Sequence, residues 1–320
     1  MPESANDRAV AELADRTWRE MLQHSPVWGT FLGIEVDDGA LDDVSDDARI
    51  AERERWERAA WAAAAIGDED LSVDGRITRD LIRVGASIAI EKDDRRMDLV
   101  GAVDHMDGVQ TLLPQLAAFQ DASTPDLLEK FLRRLASFPR LMEDHLARVN
   151  VAMSRGVTAS RISVERLIAQ LEGLAAIPPE HSPIATAARV AGDAERARVV
   201  DAVREHVDPQ IRRYLDLVKG PYRGMCREVP GLVSLPDGGA LYATAVRAWT
   251  GLALDPKELH EIGLEEWRSI QGEMREIARE LGHGDDIEAL RAAAEADPTN
   301  VAATKEALIA RIREDIDRAQ

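Results

Sequence analysis

Apolar residues recur along most of the chain at intervals of three and four, the spacing that gives a helix one buried face. The pattern predicts a first helix over 4–22, with Val10, Leu13, Trp18 and Leu22 on or near one face, ended by Ser25-Pro26. Residues 27–34 form an apolar loop or a short helix. A second helix spans 48–65 with Trp56 and Trp61 as core anchors, and a third spans 72–91, opening at Asp74-Gly75 and carrying Ile77, Leu81, Val84 and Ile88. Thr124 and Pro125 are the N-cap and first-turn signals of a helix over 125–136, which turns Leu128, Phe131, Leu132 and Leu135 to the core. Pro139 reads as the start of a separate helix, because proline lacks the donor an interior position needs. That helix keeps Leu141, Met142, His145, Leu146, Val149 and Met153 in register. Helices follow over 163–174 and 182–218, the latter kinked or split at Asp208-Pro209, and then a Gly- and Pro-rich loop at 220–231. The remaining elements are helices at 240–250, 255–281 and 286–296 and a last one reaching 320, whose Leu308, Ile309, Ile312 and Ile316 make an apolar face that self-association or a partner would cover. The expected fold is an all-α, multi-helix array. It forms a single domain over 1–320, with 1–220 and 221–320 as its candidate subdivision.

Composition agrees with helices. Hydrophobic residues make up 45% of the 320, enough for a sizeable core, but aromatics only 4%, too few for a β-rich chain. The formal net charge of −19 argues against nucleic acid and against an anionic membrane surface, both of which require basic patches. Solubility is the plain reading of that acidity, and a preference for basic peptides the sharper one. Cys226 is the single cysteine, so no intrachain disulfide forms, and a reducing, cytoplasmic setting is expected. The first eight residues lack the apolar core and basic lead of a signal peptide, and no apolar run is long enough to span a membrane.

Motifs for chemistry are few. The acidic stretch 37–47 crowds Asp37, Asp38, Asp42, Asp43, Asp46 and Asp47 but lacks the alternating ligands, central glycine and terminal glutamate of a calcium loop, and reads as a solvated loop. His260-Glu261 begins like a zinc-protease helix, but the second histidine would fall at Leu264. The other histidines are scattered, and His145 on its apolar face reads as a core residue. There is no nucleophile elbow, Walker loop or dinucleotide fingerprint. Cys226 lies between Arg223 and Arg227, which would lower a thiol pKa, but no base is identifiable and an ordinary loop cysteine is the preferred reading.

The most informative stretch runs from 235 to 281. Pro236-Asp237-Gly238-Gly239 is a strong turn signal, Gly251 a helix stop, and Asp255, Pro256 and Glu258 stand at N-cap, first and third helical positions. In order, Leu235, Pro236, Asp237, Gly238, Tyr242, Arg247, Thr250, Leu254, Pro256, Glu258, Leu259, His260, Gly263, Leu264 and Ile270 resemble the DUF885 family of bacterial proteins. Fainter echoes lie at Ser25-Pro26, Leu41-Asp42-Asp43, Met106-Asp107-Gly108 with Gln110, and Phe138-Pro139-Arg140-Leu141.

Full members of that family resemble all-helical zinc metallopeptidases with HExxH in their C-terminal half. Here the pattern covers only its N-terminal half. The resemblance therefore implies one wall of a channel, with no catalytic residue, no metal ligand and no cofactor in this chain. Zinc would come only with a partner polypeptide that supplies the C-terminal half, and a peptide is the implied substrate class. The alternative is a non-catalytic binding or scaffold protein that forms a homo-oligomer. Four residues are candidates for substrate contact. Tyr242 could donate to an oxyanion and Arg247 could clamp a carboxylate, while Asp107 and Gln110 lie in a mixed polar stretch that could line a cleft. The plainer and preferred reading of each is structural: a Tyr hydroxyl and an Arg each tied to structure, and a glycine-hinged connection at 103–116.

Overall fold

The structure is a computed structural model that describes residues 4–34, 36, 37 and 39–319. The first three residues of the amino-terminal reading and Asp38 of the acidic stretch lie outside them. About 76% of the chain is helical, as its periodicity predicts. Contacts divide it into two compact units, Met1–Ala253 and Leu254–Gln320.

The first unit opens with α1 (Ala5–His24), capped by Ser4, whose hydroxyl accepts from the Asp7 amide at 2.9 Å, and continues into α2 (Pro26–Leu32). The helices α3 (Asp46–Ala64) and α4 (Val73–Asp94) form an antiparallel-connected pair that packs with α1. Ala59, Ala63 and Ala86 are the buried apolar residues along this pair, beside the buried Arg79. Alanines let two helix axes approach closely, so the larger side chains are turned away from the seam. This corrects the expectation from periodicity. Trp61 is 78% exposed, and Ile77, Leu81 and Val84 of α4 face solvent instead of the core, Leu81 at 66%.

The centre of the unit is α6 (Pro125–Ser154), a 30-residue helix begun by the Thr124 hydroxyl cap. Pro139 lies inside it and does not start a second helix. The proline costs one backbone hydrogen bond, but Phe131, Leu135 and Phe138 before it and Met142, Leu146 and Val149 after it are all buried along one stripe. Burying those side chains, at roughly 1.5–3 kcal/mol each, outweighs the roughly 3 kcal/mol an interior proline costs. Around α6 stand α5 (Val109–Phe119), α7 (Arg161–Ala176), the short α8 (Pro183–Ala187), α9 (Asp193–Ala202) and α10 (Asp208–Leu217). A π-helical turn at Val203–Val207 joins α9 to α10 and accommodates Pro209 without a break. Two-residue strands at Asp121–Ala122 and Arg189–Val190 pair in parallel.

The loop after α10 is organised by Arg227, whose Nη1 donates to the carbonyls of Val229, Pro230 and Gly231 and to the Ser234 hydroxyl at 2.6–2.9 Å. It delivers the chain to α11 (Gly238–Thr250). The left-handed residue of the Pro236-Asp237-Gly238 turn is Asp237, at φ 54°, and its carboxylate makes no cap. Gly238 is required by space, since a Cβ there would stand 2.1 Å from the Leu232 carbonyl oxygen. Gly251, at φ 72°, ends the helix as its position predicts.

The second unit comprises α12 (Pro256–Glu280), α13 (Ile287–Ala296) and α14 (Lys305–Ala319). Asp255 caps α12, accepting from the Lys257 amide at 2.7 Å. Ala278 is its buried apolar residue, and the stripe from Ile262 to Leu281 stays exposed, as do Leu308, Ile312 and Ile316 of α14.

Two adjacent arginines of α6 provide a test of what the core depends on. Arg134 is fully buried and donates to the Ala40 carbonyl at 2.7 Å, the Gln120 side chain at 2.6 Å and the Thr30 hydroxyl at 3.1 Å, whereas Arg133 makes an exposed ion pair with Asp37 at 3.3 Å. Arg134→Ala is expected to lower unfolding free energy by roughly 3 kcal/mol or more, because it leaves a cavity and strands buried acceptors, and Arg133→Ala by less than about 1 kcal/mol. Urea unfolding of both variants measures the difference, and equal losses would refute this account of the core.

Candidate functional site

Three helices each turn one stripe toward a cavity of about 620 Å³ in the first unit. From α1 come Thr17, Glu20, Met21 and His24; from α3, Asp46, Arg49, Glu52, Arg55, Trp56 and Ala59; from α6, Asp144, Ala147, Arg148 and Val151, with Arg155 just past its end. The loop at 42–45 and the turn holding Arg96 and Asp98 add to the lining. The cavity is thus rich in both signs of charge, and what matters is which charges are already paired.

Most are. Arg49 bonds Asp46 at 2.8 Å and also reaches Asp93, Arg96 grips both oxygens of Asp98 at 2.9 Å, and Arg140 holds Asp144 at 2.7 Å. The Ser45 side chain, and then its amide, which donates at 2.9 Å, lower the pKa of Asp43. Asp42 accepts from the Val27 amide at 3.1 Å, but burial prevails and raises its pKa. Two donors differ from these: Nη1 of Arg55 and Nε of Arg148 are buried and have no hydrogen-bond partner. Burial pushes both guanidinium groups below their ordinary range, and burial together with Arg55 lowers His24. None of these three residues stood out in the sequence. The one available signal was Arg148, placed three residues beyond His145 on an otherwise apolar face.

Behind Arg148 a polar thread enters the core. Its Nη2 lies 3.3 Å from Nδ1 of His145, and the His145 ring meets Tyr214 of α10 edge to face at 5.1 Å. Nε2 of His145 and the Tyr214 hydroxyl are buried without partners. Burial, with the Arg148 charge beside it, drops the His145 pKa to about 3, so the ring is neutral at physiological pH.

The four sequence candidates are not gathered in one cavity. Gln110 is buried, its amide donating to the Asp104 carbonyl at 3.0 Å and to Gln170 at 3.2 Å, and it borders a void of about 30 Å³. Gly108 before it leaves no room for a Cβ, which would stand 2.2 Å from that same carbonyl. Asp107 is exposed on the connecting loop. Tyr242 stands exposed on α11. Arg247, on the same helix, bonds Glu91 of α4 and reaches the Ser87 hydroxyl at 2.8 Å, while Thr244 donates to the other Glu91 oxygen at 2.7 Å. These bonds lower the Glu91 pKa, and they make Arg247 the clasp between α11 and α4. Cys226 is buried, its thiol donating to the Arg223 carbonyl at 3.0 Å.

His260 is exposed on α12, and among the described residues no group of three or more His, Cys, Asp or Glu side chains is placed to hold a metal ion. Among the described residues no helix is long and apolar enough to cross a membrane.

This helical architecture has solved counterparts. A protein from Colwellia psychrerythraea, provisionally described as a lipoprotein, superposes with a TM-score of 0.82 at 16% identity, covering 98% of this chain and 58% of that one. A second, from Shewanella oneidensis and described in the same way with unknown function, gives 0.61 at 16% identity, covering 85% of this chain and 48% of its own. At such identity the likeness establishes the fold. This chain therefore spans about half the length of the solved structures it matches. No curated protein matches it. Residues 26–320 match DUF885, bacterial protein of unknown function, and the chain belongs to that family. The match runs over nearly the whole chain and is not confined to the stretch at 235–281.

Two outcomes follow from the geometry. A histidine with a depressed pKa binds its proton in the unfolded chain before it does so in the folded one, so stability is complete above the ordinary value of 6.5 and is lost as pH falls toward about 3. Unfolding free energy should fall by up to roughly 1.4 kcal/mol per pH unit across that window from this residue. His145→Gln should remove that component, which urea titrations at successive pH values detect; an unchanged slope would contradict it. Arg247→Met should cost about 1–2 kcal/mol by leaving Glu91 short of its cation, and Arg247→Met with Glu91→Gln should cost less than the sum of the two, as a double-mutant cycle reads directly.

Proposed function

We propose that this chain is the wall-forming part of a larger DUF885 hydrolase of the peptidase type, whose metal centre is carried by residues outside it. The observation that carries this reading is extent. The matched structure covers 98% of this chain, yet this chain accounts for 58% of that protein's length. A second observation supports it. Val73, Ile77, Leu81 and Val84 of α4, and separately the α12 and α14 stripes, are bulky apolar faces left uncovered, as expected of surfaces meant to receive further structure. In this reading zinc enters with the complementary part, and a peptide is the substrate. Tyr242 and Asp107, both exposed, are substrate-facing candidates, whereas Arg247 and Gln110 act by holding their elements in place. A cytoplasmic setting belongs to the same proposal and rests on the single cysteine; the lipoprotein description of the two solved counterparts is the competing indication, which cell fractionation decides.

The same apolar stripe on α4 favours a second reading, a non-catalytic protein that self-associates through it. Zinc content and peptide hydrolysis separate the two, measured on the purified chain alone and after co-expression with the polypeptide encoded immediately downstream. Zinc and hydrolysis only in the complex are expected. Stoichiometric zinc in the lone chain would overturn the placement of the metal outside it. No metal in either sample, together with a homo-oligomer in sedimentation, would leave self-association as the function.

A further inference from the structure

The second unit leaves more apolar surface open than it closes. Among its described residues Ala278 is the one fully buried apolar side chain, and Leu264, Met274, Ile287 and Leu290 are half-buried. So small a core offsets little of the entropy lost in ordering three helices. Along α12 the apolar residues follow the spacing of a coiled coil. Trp267, Met274 and Leu281 recur every seven residues, with Ile270 and Ile277 between them at the same interval. Trp267, Ile270, Ile277 and Leu281 are exposed. The two flanks of this seam differ. Leu264, Gln271 and Ala278 on one flank are half-buried or buried, so the chain itself closes that side. Glu266, Glu273 and Glu280 on the other flank are all exposed. The unit's ion pairs join Arg279 to Asp285, Arg291 to Glu288 and Arg318 to Asp315, and among the described residues none takes up these three glutamates. Glu273 accepts a 3.4 Å bond from the Ser269 hydroxyl. Arg268 and Arg275 stand two residues beyond Glu266 and Glu273, a spacing that turns side chains to different faces of a helix.

We propose that this face of α12 is a docking site for a partner helix that carries lysine or arginine beside its own apolar stripe. Between paired helices the positions flanking the seam set the partner and its direction, through opposite charges that meet across it. The open flank of α12 presents a carboxylate at each repeat, so the flank that complements it is basic. The same logic sets aside a second copy of this chain. Two α12 helices running parallel would bring the glutamates against the flank of Leu264, Gln271 and Ala278, which offers no cation. Running antiparallel, they would set glutamate against glutamate. An anionic membrane surface is repelled by the same line of charge. The apolar seam supplies affinity, and the glutamates supply the choice of partner. The inference rests on neither functional reading: it specifies the chemistry of what covers α12 and requires no metal.

The test uses the full chain as purified. The probes are two synthetic helical peptides of three heptads, both with leucine at the seam positions. One carries lysine beside the seam and the other glutamate, and isothermal titration calorimetry measures each at physiological salt. Saturable one-to-one binding of the lysine peptide is expected, at least about tenfold tighter than that of the glutamate peptide. Because the whole chain is acidic, the deciding variants move charge locally. Glu266→Lys, Glu273→Lys and Glu280→Lys together should reverse the preference. Glu12→Lys, Glu54→Lys and Glu143→Lys together make the same change of charge at exposed positions of the first unit and should preserve it. Ile270→Ala with Ile277→Ala keeps the charge and should weaken binding about tenfold or more, with folding checked by circular dichroism. Absence of saturable binding, equal effects of the two triple variants, or unchanged affinity in the alanine variant would each overturn the proposal. So would a dimer of the lone chain in sedimentation that the alanine variant dissolves. A failure here leaves the hydrolase reading untouched, because zinc and hydrolysis are read in a separate assay.

Discussion

One buried guanidinium holds the first unit in register. Arg134 sits on the core face of α6 among Phe131, Leu135 and Phe138, where an unpaired cation would be prohibitively costly. It is accommodated because segments that precede α6 bring it acceptors: Thr30 from α2, the Ala40 carbonyl from the loop that follows, and Gln120 from the end of α5. Those segments cannot shift without stranding a buried polar group, so a single side chain specifies how the chain before α6 wraps around it. The same loop then runs on to Asp42 and Asp43, which edge the cavity. The geometry of the candidate site thus follows from a contact made in the core.

A second constraint is the alanine seam between α3 and α4. Close approach of helix axes is obtained by placing Ala59, Ala63 and Ala86 inside, which sends Trp61 and Leu81 outward. A stripe that is apolar at helical spacing is ordinarily the buried one, and here the small-residue face was the buried one instead. Such an inversion costs solubility unless something covers the bulky face.

Much of the fold was legible from the sequence, and the reasons differ by element. Caps and stops are local chemistry, so Thr124, Asp255 and Gly251 mark the helix ends they predict. Pro139 misled because its local penalty is real but smaller than the burial that α6 gains on both sides of it. Asp237 misled in a finer way: the turn was foreseen, but the left-handed residue is the aspartate, and the glycine is demanded by the nearby Leu232 carbonyl, a contact no local pattern reveals. The site was the least legible part. Tyr242, Arg247, Asp107 and Gln110 were named from local signals and a family pattern, and they do not converge. Arg55 and Arg148 became visible only through what they lack, and the absence of a partner is a property of three-dimensional surroundings.

Arg134 and Arg148 make that point within one helix. They are fourteen residues apart on α6, roughly 21 Å along the axis, and with Leu141, His145 and Ala152 they fall on nearly the same face. In sequence they are equivalent: arginines set into a buried stripe. In the folded chain, Arg134 donates to Thr30, Ala40 and Gln120, whereas Nη2 of Arg148 meets one ring nitrogen and its Nε is buried without a partner. A protein that can satisfy the first so completely has the means to satisfy the second, since carboxylates line the same cavity. Leaving that donor unbonded costs more than a typical hydrogen bond gains, so two arginines alike in the sequence pattern differ in what burial costs them.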